Sequence, residues 1–269
     1  MPPLRVIVSL SSIPSRFSGI GPTLLSILRQ ATPPDEIRLY IPHRYRRFPD
    51  WDGALPKVPE GVEIHRCAED LGPATKILPA VRDLRGEDVE ILFCDDDRIY
   101  DPEWLGRFVA ARRAHPDCAI VEAGRFVPGF RGTATPRARP RRKGWRYRLA
   151  RIASLGLYAP PPWVSSGHVD VLKGFGGVMI RPDFIPDFAF DIPDILWTVD
   201  DPWLSGCLAA NGVDIWLNAG VAPSIERRIA GRDSLLKFSV RGHGRDDANH
   251  ACFRWFQENR GIWIDAPKA

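Results

Sequence analysis

Three consecutive carboxylates, Asp95, Asp96 and Asp97, follow the short apolar run Glu90-Ile91-Leu92-Phe93-Cys94. The run has the length of a buried strand. Adjacent acids repel one another and resist burial, so the strand should open onto water, a metal ion or a cationic ligand. In extended chain, residues two apart point to the same side, which would let Asp95 and Asp97 converge on one cation. Hard oxygen ligands suit Mg²⁺ or Mn²⁺, ions commonly shared with a diphosphate. A second acidic pair, Asp200-Asp201, precedes Pro202-Trp203-Leu204 at the predicted start of a helix. Asp201 could simply cap the helix.

The elements that must position these acids alternate along the chain. Leu4–Leu10 is β-branched and apolar and reads as a first strand. Ser18 is placed to cap a helix running to about Gln30, and Glu36–Ile41 alternates as a second strand. Strand, helix and strand at this spacing predict a βαβ unit in a parallel sheet. Val62–His65 is a third short strand. Asp70 and Lys76 flank Gly72-Pro73, where a helix should begin and run to Leu84, before Gly86. Val89–Cys94 is the fourth strand. Asp101 and Pro102 should start the next helix, and Cys118–Glu122 is a fifth strand. Gly176-Gly177 precede a strand, which predicts either a close approach to the backbone or merely a bend. Asp200 to Asn211 reads as a helix, Val213–Leu217 as a strand, Pro223–Ser234 as a polar loop and Asp246–Asn259 as a closing helix.

Between about Gly124 and Pro162 the character changes. Arg131–Arg151 carries many cations and no acid. Its first half should be an irregular loop, and Trp145–Leu157 a basic amphipathic helix. Such a segment is either a solvated excursion or a contact for a phosphorylated acceptor or an anionic membrane surface. The organisation expected is one domain of residues 1–269: a ligand-binding half over 1–122, a basic insertion over 123–165, and a second half over 166–269 ending in a helix.

Composition narrows the class. The chain has 269 residues, ample for a large α/β core, and nine Trp, a residue common where flat ligands are held. The net charge of +4 is too small for a dedicated nucleic-acid binder. Cys67, Cys94, Cys118, Cys207 and Cys252 are scattered without CxxC spacing, which disfavours zinc and disulfide frameworks and favours a reducing compartment. No apolar run approaches the ~20 residues that span a bilayer. The expectation is a cytoplasmic protein, with peripheral membrane contact left open.

Taken in order, these pieces resemble the GT-A glycosyltransferases of the family-2-like, nucleotide-sugar-dependent type. The resemblance rests on Val6–Arg16 leading into Thr23–Gln30, on Pro34–Pro42, on Asp95-Asp96-Asp97 as the Asp-x-Asp motif, on Gly176-Gly177, and on Asp200-Asp201-Pro202-Trp203-Leu204. It covers Leu4 to about Leu217. It implies a Rossmann-like α/β/α sandwich with a mostly parallel central sheet, and transfer of a sugar from a nucleoside-diphosphate donor, most commonly a UDP-sugar, to a glycan or lipid-linked hydroxyl; the basic insertion and the expected cytoplasmic setting point to cell-envelope polysaccharide synthesis. Asp95 would face the ribose and, with Asp97, the metal. Arg16, Asp70, Lys76 and Asp96 would lie about the base, ribose or diphosphate. Asp201 or Asp200 would be the base, and Gly176 and Gly177 would face the acceptor. Relatives add a C-terminal His as a metal ligand, for which His243 is preferred here over His250.

Three other readings share parts of this pattern. A haloacid-dehalogenase-like phosphatase would use Asp95 as a nucleophile, although its motif normally follows a first strand. A nucleotidyltransferase would need a Gly-rich basic loop that Ser11–Phe17 lacks. A basic nucleic-acid or membrane-binding module would leave the acids without a role.

Overall fold

The computed structural model describes residues 4–155, 157–231, 233 and 245–265. Its centre is an eight-stranded sheet formed by β1 (Val6–Ser11), β2 (Glu36–Pro42), β3 (Glu63–Cys67), β4 (Glu90–Phe93), β5 (Ala119–Val121), β6 (Gly167–Val169), β7 (Val178–Ile180) and β8 (Ile215–Leu217). The spatial order is β6-β8-β5-β7-β4-β1-β2-β3. Strands β3, β2, β1 and β4 pair in parallel, as do β5 and β8. Strand β7 enters between β4 and β5 antiparallel to both, and β6 is antiparallel to β8. The result is a mostly parallel α/β fold, the class that the resemblance implies. Strands β1 and β4 are buried nearly throughout, as parallel strands covered on both faces must be.

Two apolar layers cover the sheet. One joins the inner face to α2 (Leu78–Asp83), α5 (Asp200–Ala210) and α6 (Arg245–Arg260). The other packs α1 (Gly21–Leu28) and α3 (Trp104–Ala114) on the opposite face. Strand β4 also buries Glu90, which is tolerated because Arg112 of α3 reaches it at 2.8 Å.

Local structure departs from the sequence reading in several places. Ser18 does not cap α1: residues Pro14–Gly19 form a 3₁₀ turn, and α1 begins at Gly21 with Ile20 at its N-cap and no side-chain cap. The helix expected from Pro73 is split into a 3₁₀ turn, Gly72–Lys76, and α2. Helix α3 starts at Trp104 rather than Pro102; Asp101 Oδ1 accepts the Glu103 N–H at 3.1 Å and the Arg107 guanidinium at 2.7 Å. The basic helix α4 covers Trp145–Ala153, shorter than expected. The polar loop after β8 contains Ile225–Glu226, which pairs with Arg98–Ile99 immediately after the triple acid.

Gly177 shows why β7 needs its glycines. Its φ of +93° is a left-handed conformation, and a Cβ there would lie 2.6 Å from the Trp104 ring. Trp104 is buried, stacks on Tyr100 at 4.2 Å and donates its Nε1–H to the Gly176 carbonyl at 2.9 Å. The close approach predicted at this dipeptide is therefore made by the protein's own core.

Candidate active site

The carboxyl ends of β1, β2 and β4 open into a cavity of about 280 Å³. This is the edge at which open α/β sheets bind ligands. Ser11 and Ser12 follow β1, Pro42 closes β2, and Asp95, Asp96 and Asp97 follow β4. Asp200 and Asp201 line the same cavity from the first turn of α5. The two acidic motifs, more than a hundred residues apart in the chain, thus meet.

Lys76 joins them. Its Nζ lies 2.6 Å from Asp95 Oδ1 and 2.8 Å from Asp200 Oδ2. The 3₁₀ turn that carries it packs beneath β1, where Ser9 Oγ donates to the Lys76 carbonyl at 2.6 Å. The ammonium is buried, and the surrounding Asp200, Asp95 and Asp201 outweigh that burial and hold its pKa well above the ordinary lysine value.

The three acids do not alternate as extended chain would. The strand ends at Phe93, and Asp96-Asp97 form a turn. Asp96 points inward, accepting from Ser12 Oγ and from Arg16 Nη1, the latter at 2.9 Å. The same Arg16 nitrogen reaches Asp97 Oδ2 at 3.0 Å. Arg98 Nε stands 3.6 Å from Asp97 Oδ1. Asp95 therefore faces Lys76 while Asp96 and Asp97 share an arginine, and the same-side argument for Asp95 and Asp97 lapses at this turn. Burial, then the neighbouring Asp95 and Asp96, push the Asp97 carboxyl up to about 6.

Asp201 is not a helix cap. Helix α5 begins one residue earlier with Val199 at its N-cap and no side-chain cap, and Asp201 Oδ1 instead accepts the Gly174 N–H at 2.9 Å. Burial, then Asp200, push its carboxyl up to about 6. A base with a pKa in this range is ionised near neutrality and still basic enough to take a proton.

Asp70 closes another wall. It accepts the Arg46 N–H at 2.7 Å and the Gly72 N–H at 2.9 Å, and its carbonyl takes the Trp197 Nε1–H at 3.0 Å. Tyr45, Phe48 and Trp197 line the cavity beside it. Tyr45 is fixed by a 2.6 Å bond to the Ser12 carbonyl and by edge contacts with Phe48 and Trp51. The sequence reading missed these aromatics: Tyr45 and Phe48 lie among rings and basic residues in the loop after β2, and Trp197 lies just before α5, where no such cluster marks it. It also missed the segment after Ile225, where Arg227 N–H donates to the Asp97 carbonyl at 2.9 Å and Glu226 and Ala230 line the cavity.

Gly176 lies outside this cavity and lines a second one of about 150 Å³ with Glu122, Trp163 and Lys173; Phe175 lines both. Gly177 lines neither. His243 lies outside the described residues, and His250 is an exposed residue of α6.

Whether a divalent ion fits can be judged from charge and donor type. Among the described residues, eight carboxylates and four cations line the main cavity. That excess of hard, anionic oxygen suits Mg²⁺ or Mn²⁺, and Asp97 is one of the acids whose proton affinity is raised, by burial and then by Asp95 and Asp96. No cluster of three or more metal-ligating side chains is present among the described residues, so ligands beyond the acids after β4 would have to come from the bound molecule or water.

No family model matches the chain, and no curated protein matches it. Solved structures do. S. aureus TarS 1–349 in complex with UDP matches at 17% identity and a TM-score of 0.46, over 82% of this chain and 60% of that chain. TarS 1–349 in complex with UDP-GlcNAc matches at 15% identity and a TM-score of 0.47, over 85% of this chain and 61% of that one. The longer TarS structure matches at 16% and 0.48, with 37% of its chain covered. This chain thus spans about 60% of the TarS 1–349 structures and 37% of the longer one.

Proposed function

We propose that this chain is a GT-A-type glycosyltransferase that moves a sugar from a nucleoside-diphosphate donor, a UDP-sugar in the first instance, to a hydroxyl of a glycan or lipid-linked acceptor. The observation that carries this reading is the Asp95–Lys76–Asp200 bridge, which brings the acids after β4 and the acids opening α5 to one cavity at the carboxyl edge of a mostly parallel sheet. One motif then serves the donor and the other the acceptor.

In this reading the aromatic wall of Tyr45, Phe48 and Trp197, with Asp70, receives the nucleoside. Flat rings suit Tyr and Trp surfaces, and a half-buried carboxylate accepts ribose or base protons. Arg16, Arg47, Lys76 and Arg98 supply positive charge along the diphosphate path. Asp97 would hold a Mg²⁺ or Mn²⁺ ion, which when bound offsets the charge on a departing diphosphate. Asp201 accepts the proton of the acceptor hydroxyl. That oxygen forms the new bond to the anomeric carbon as the sugar–phosphate bond breaks, and the diphosphate leaves with the bonding pair. A base acting directly on the acceptor implies inversion at the anomeric carbon.

Residues 1–122 form the donor half of this unit and 166–269 the acceptor half, with the basic arm of 123–165 between them. Gly176 would face the acceptor through the second cavity, and Gly177 would shape the loop that carries it.

The test is a thermal-shift panel of nucleosides, nucleoside diphosphates and nucleotide-sugars, each with and without Mn²⁺. The reading expects stabilisation by one nucleoside diphosphate and its sugar conjugates, larger with the ion. A protein unmoved by every diphosphate, or one that traps a phosphoryl group on Asp95, is a different enzyme.

A further inference from the structure

We propose that the arm between β5 and β6 is a docking element for an anionic lipid bilayer. Helix α4 presents Trp145, Leu149 and Ile152 at spacings of four and three, which places them on one face. They are 66%, 55% and 72% exposed. Leu155 and Leu157, 92% and 86% exposed, continue the patch beyond the helix. The segment is held in this exposed form: the Tyr158 N–H donates to Ser154 Oγ at 2.8 Å, and the Tyr158 ring packs against Tyr147 with centroids 5.9 Å apart.

Five large apolar side chains with such exposure, close together, are unusual on a free surface. Charge identifies what covers them. Residues 131–169 contain nine cations and no acid. Arg142, Lys143, Arg148 and Arg151 are exposed beside the apolar face. The nearest acid in the chain beyond the arm, Asp170, is held by Arg137 at 2.6 and 2.8 Å and adds no free negative charge. An apolar stripe bearing a tryptophan, bordered by arginine and lysine, matches the interface of a bilayer with anionic headgroups. A second protein of mixed charge would not need so one-sided a border, and a nucleic acid would not need the leucines.

The arm stands on two strands, Arg139–Pro140 and Trp163–Ser165, paired antiparallel. Pro162 and Trp163 at its base line the second cavity, so docking would hold that cavity close to the membrane. The proposal does not depend on the transferase reading.

The test is co-sedimentation of the full chain with vesicles of phosphatidylcholine alone and of phosphatidylcholine mixed with phosphatidylglycerol. Binding is expected to the mixed vesicles and to weaken with added salt. The triple variant Trp145→Ser/Leu149→Ser/Ile152→Ser should lose binding while keeping the wild-type melting temperature, since the residues replaced are exposed. The variant Arg148→Gln/Arg151→Gln should bind the mixed vesicles roughly tenfold or more weakly and lose the preference for them. Vesicle binding that survives the triple variant overturns the proposal. So does a wild-type chain that ignores anionic vesicles, prefers a single-stranded oligonucleotide to them, or forms a dimer that the triple substitution dissolves.

Discussion

Asp201 Oδ1 accepts the Gly174 N–H at 2.9 Å, and this bond ties the first turn of α5 to the loop that leads into β7. The carboxylate is thereby aimed across the cavity rather than back along its own helix. Its carboxyl, pushed up to about 6 by burial and by Asp200, must be ionised to act as a base. Turnover should therefore rise with pH through about 6 and level off above it. Asp201→Asn should remove that limb and lower kcat by about 10²–10⁴-fold. Affinity for the nucleoside diphosphate should stay nearly unchanged. A pH–rate profile together with a diphosphate titration checks both, and equal losses in turnover and affinity would assign Asp201 a structural role.

Gly174 offers a subtler variant. A Cβ at this position would run into Lys76 Nζ and stand 3.4 Å from Asp201 Oδ1. Lys76 is buried and held on two sides, so it cannot swing away without loosening Asp95 or Asp200. Gly174→Ala should lower kcat by about tenfold or more while leaving the fold intact, because a displacement of a few tenths of an ångström matters at a reacting centre. Turnover and melting temperature measured on the same preparation separate the two effects.

Lys76→Met removes the cation from between two carboxylates, of which Asp200 is almost fully enclosed. Breaking a buried ion pair by removing one member costs about 3 kcal/mol. An enclosed carboxylate that loses a neighbouring ammonium gains proton affinity, and the unfolded chain takes the proton less readily. The deficit should therefore narrow as the pH is lowered from about 7 to about 5, whereas an effect due to lost packing would stay constant. Urea denaturation of wild type and variant at the two pH values gives the answer.

The sequence made the acidic ends of β4 and α5 visible because each joins an apolar run to carboxylates that resist burial. It made the βαβ opening visible through its alternation of elements. It could not show which way Asp97 points. The period-of-two argument holds only while the chain stays extended, and at the turn Asp96-Asp97 both acids meet Arg16, some eighty residues earlier. The direction of β7 was equally hidden: Val178–Ile180 is buried throughout, so its pattern is the same read either way. Lys76 read as a helix residue because Pro73 suits a helix start. Its role depends on meeting Asp200, a contact between residues 124 positions apart that no local pattern encodes.

Asp97 carries the prediction that bears most directly on metal binding. A carboxyl raised to about 6 in the folded chain binds a proton there that the unfolded chain has already released near its ordinary value of 3.8. Between those values stability must fall as the pH rises, and above about 6 the full penalty is present. Asp97→Asn removes it. The variant should be more stable than wild type by about 1–3 kcal/mol near pH 7, and no more stable near pH 4. A divalent ion competes with the proton for the same oxygens, so Mn²⁺ should raise the wild-type melting temperature more at about pH 7.5 than at about pH 5, and should leave Asp97→Asn unmoved. Sugar transfer should be lost in the variant despite its gain in stability. Were Asp97→Asn less stable at neutrality and still stabilised by Mn²⁺, its ion pair with Arg16 would be the purpose of this side chain and the ion would have to sit elsewhere.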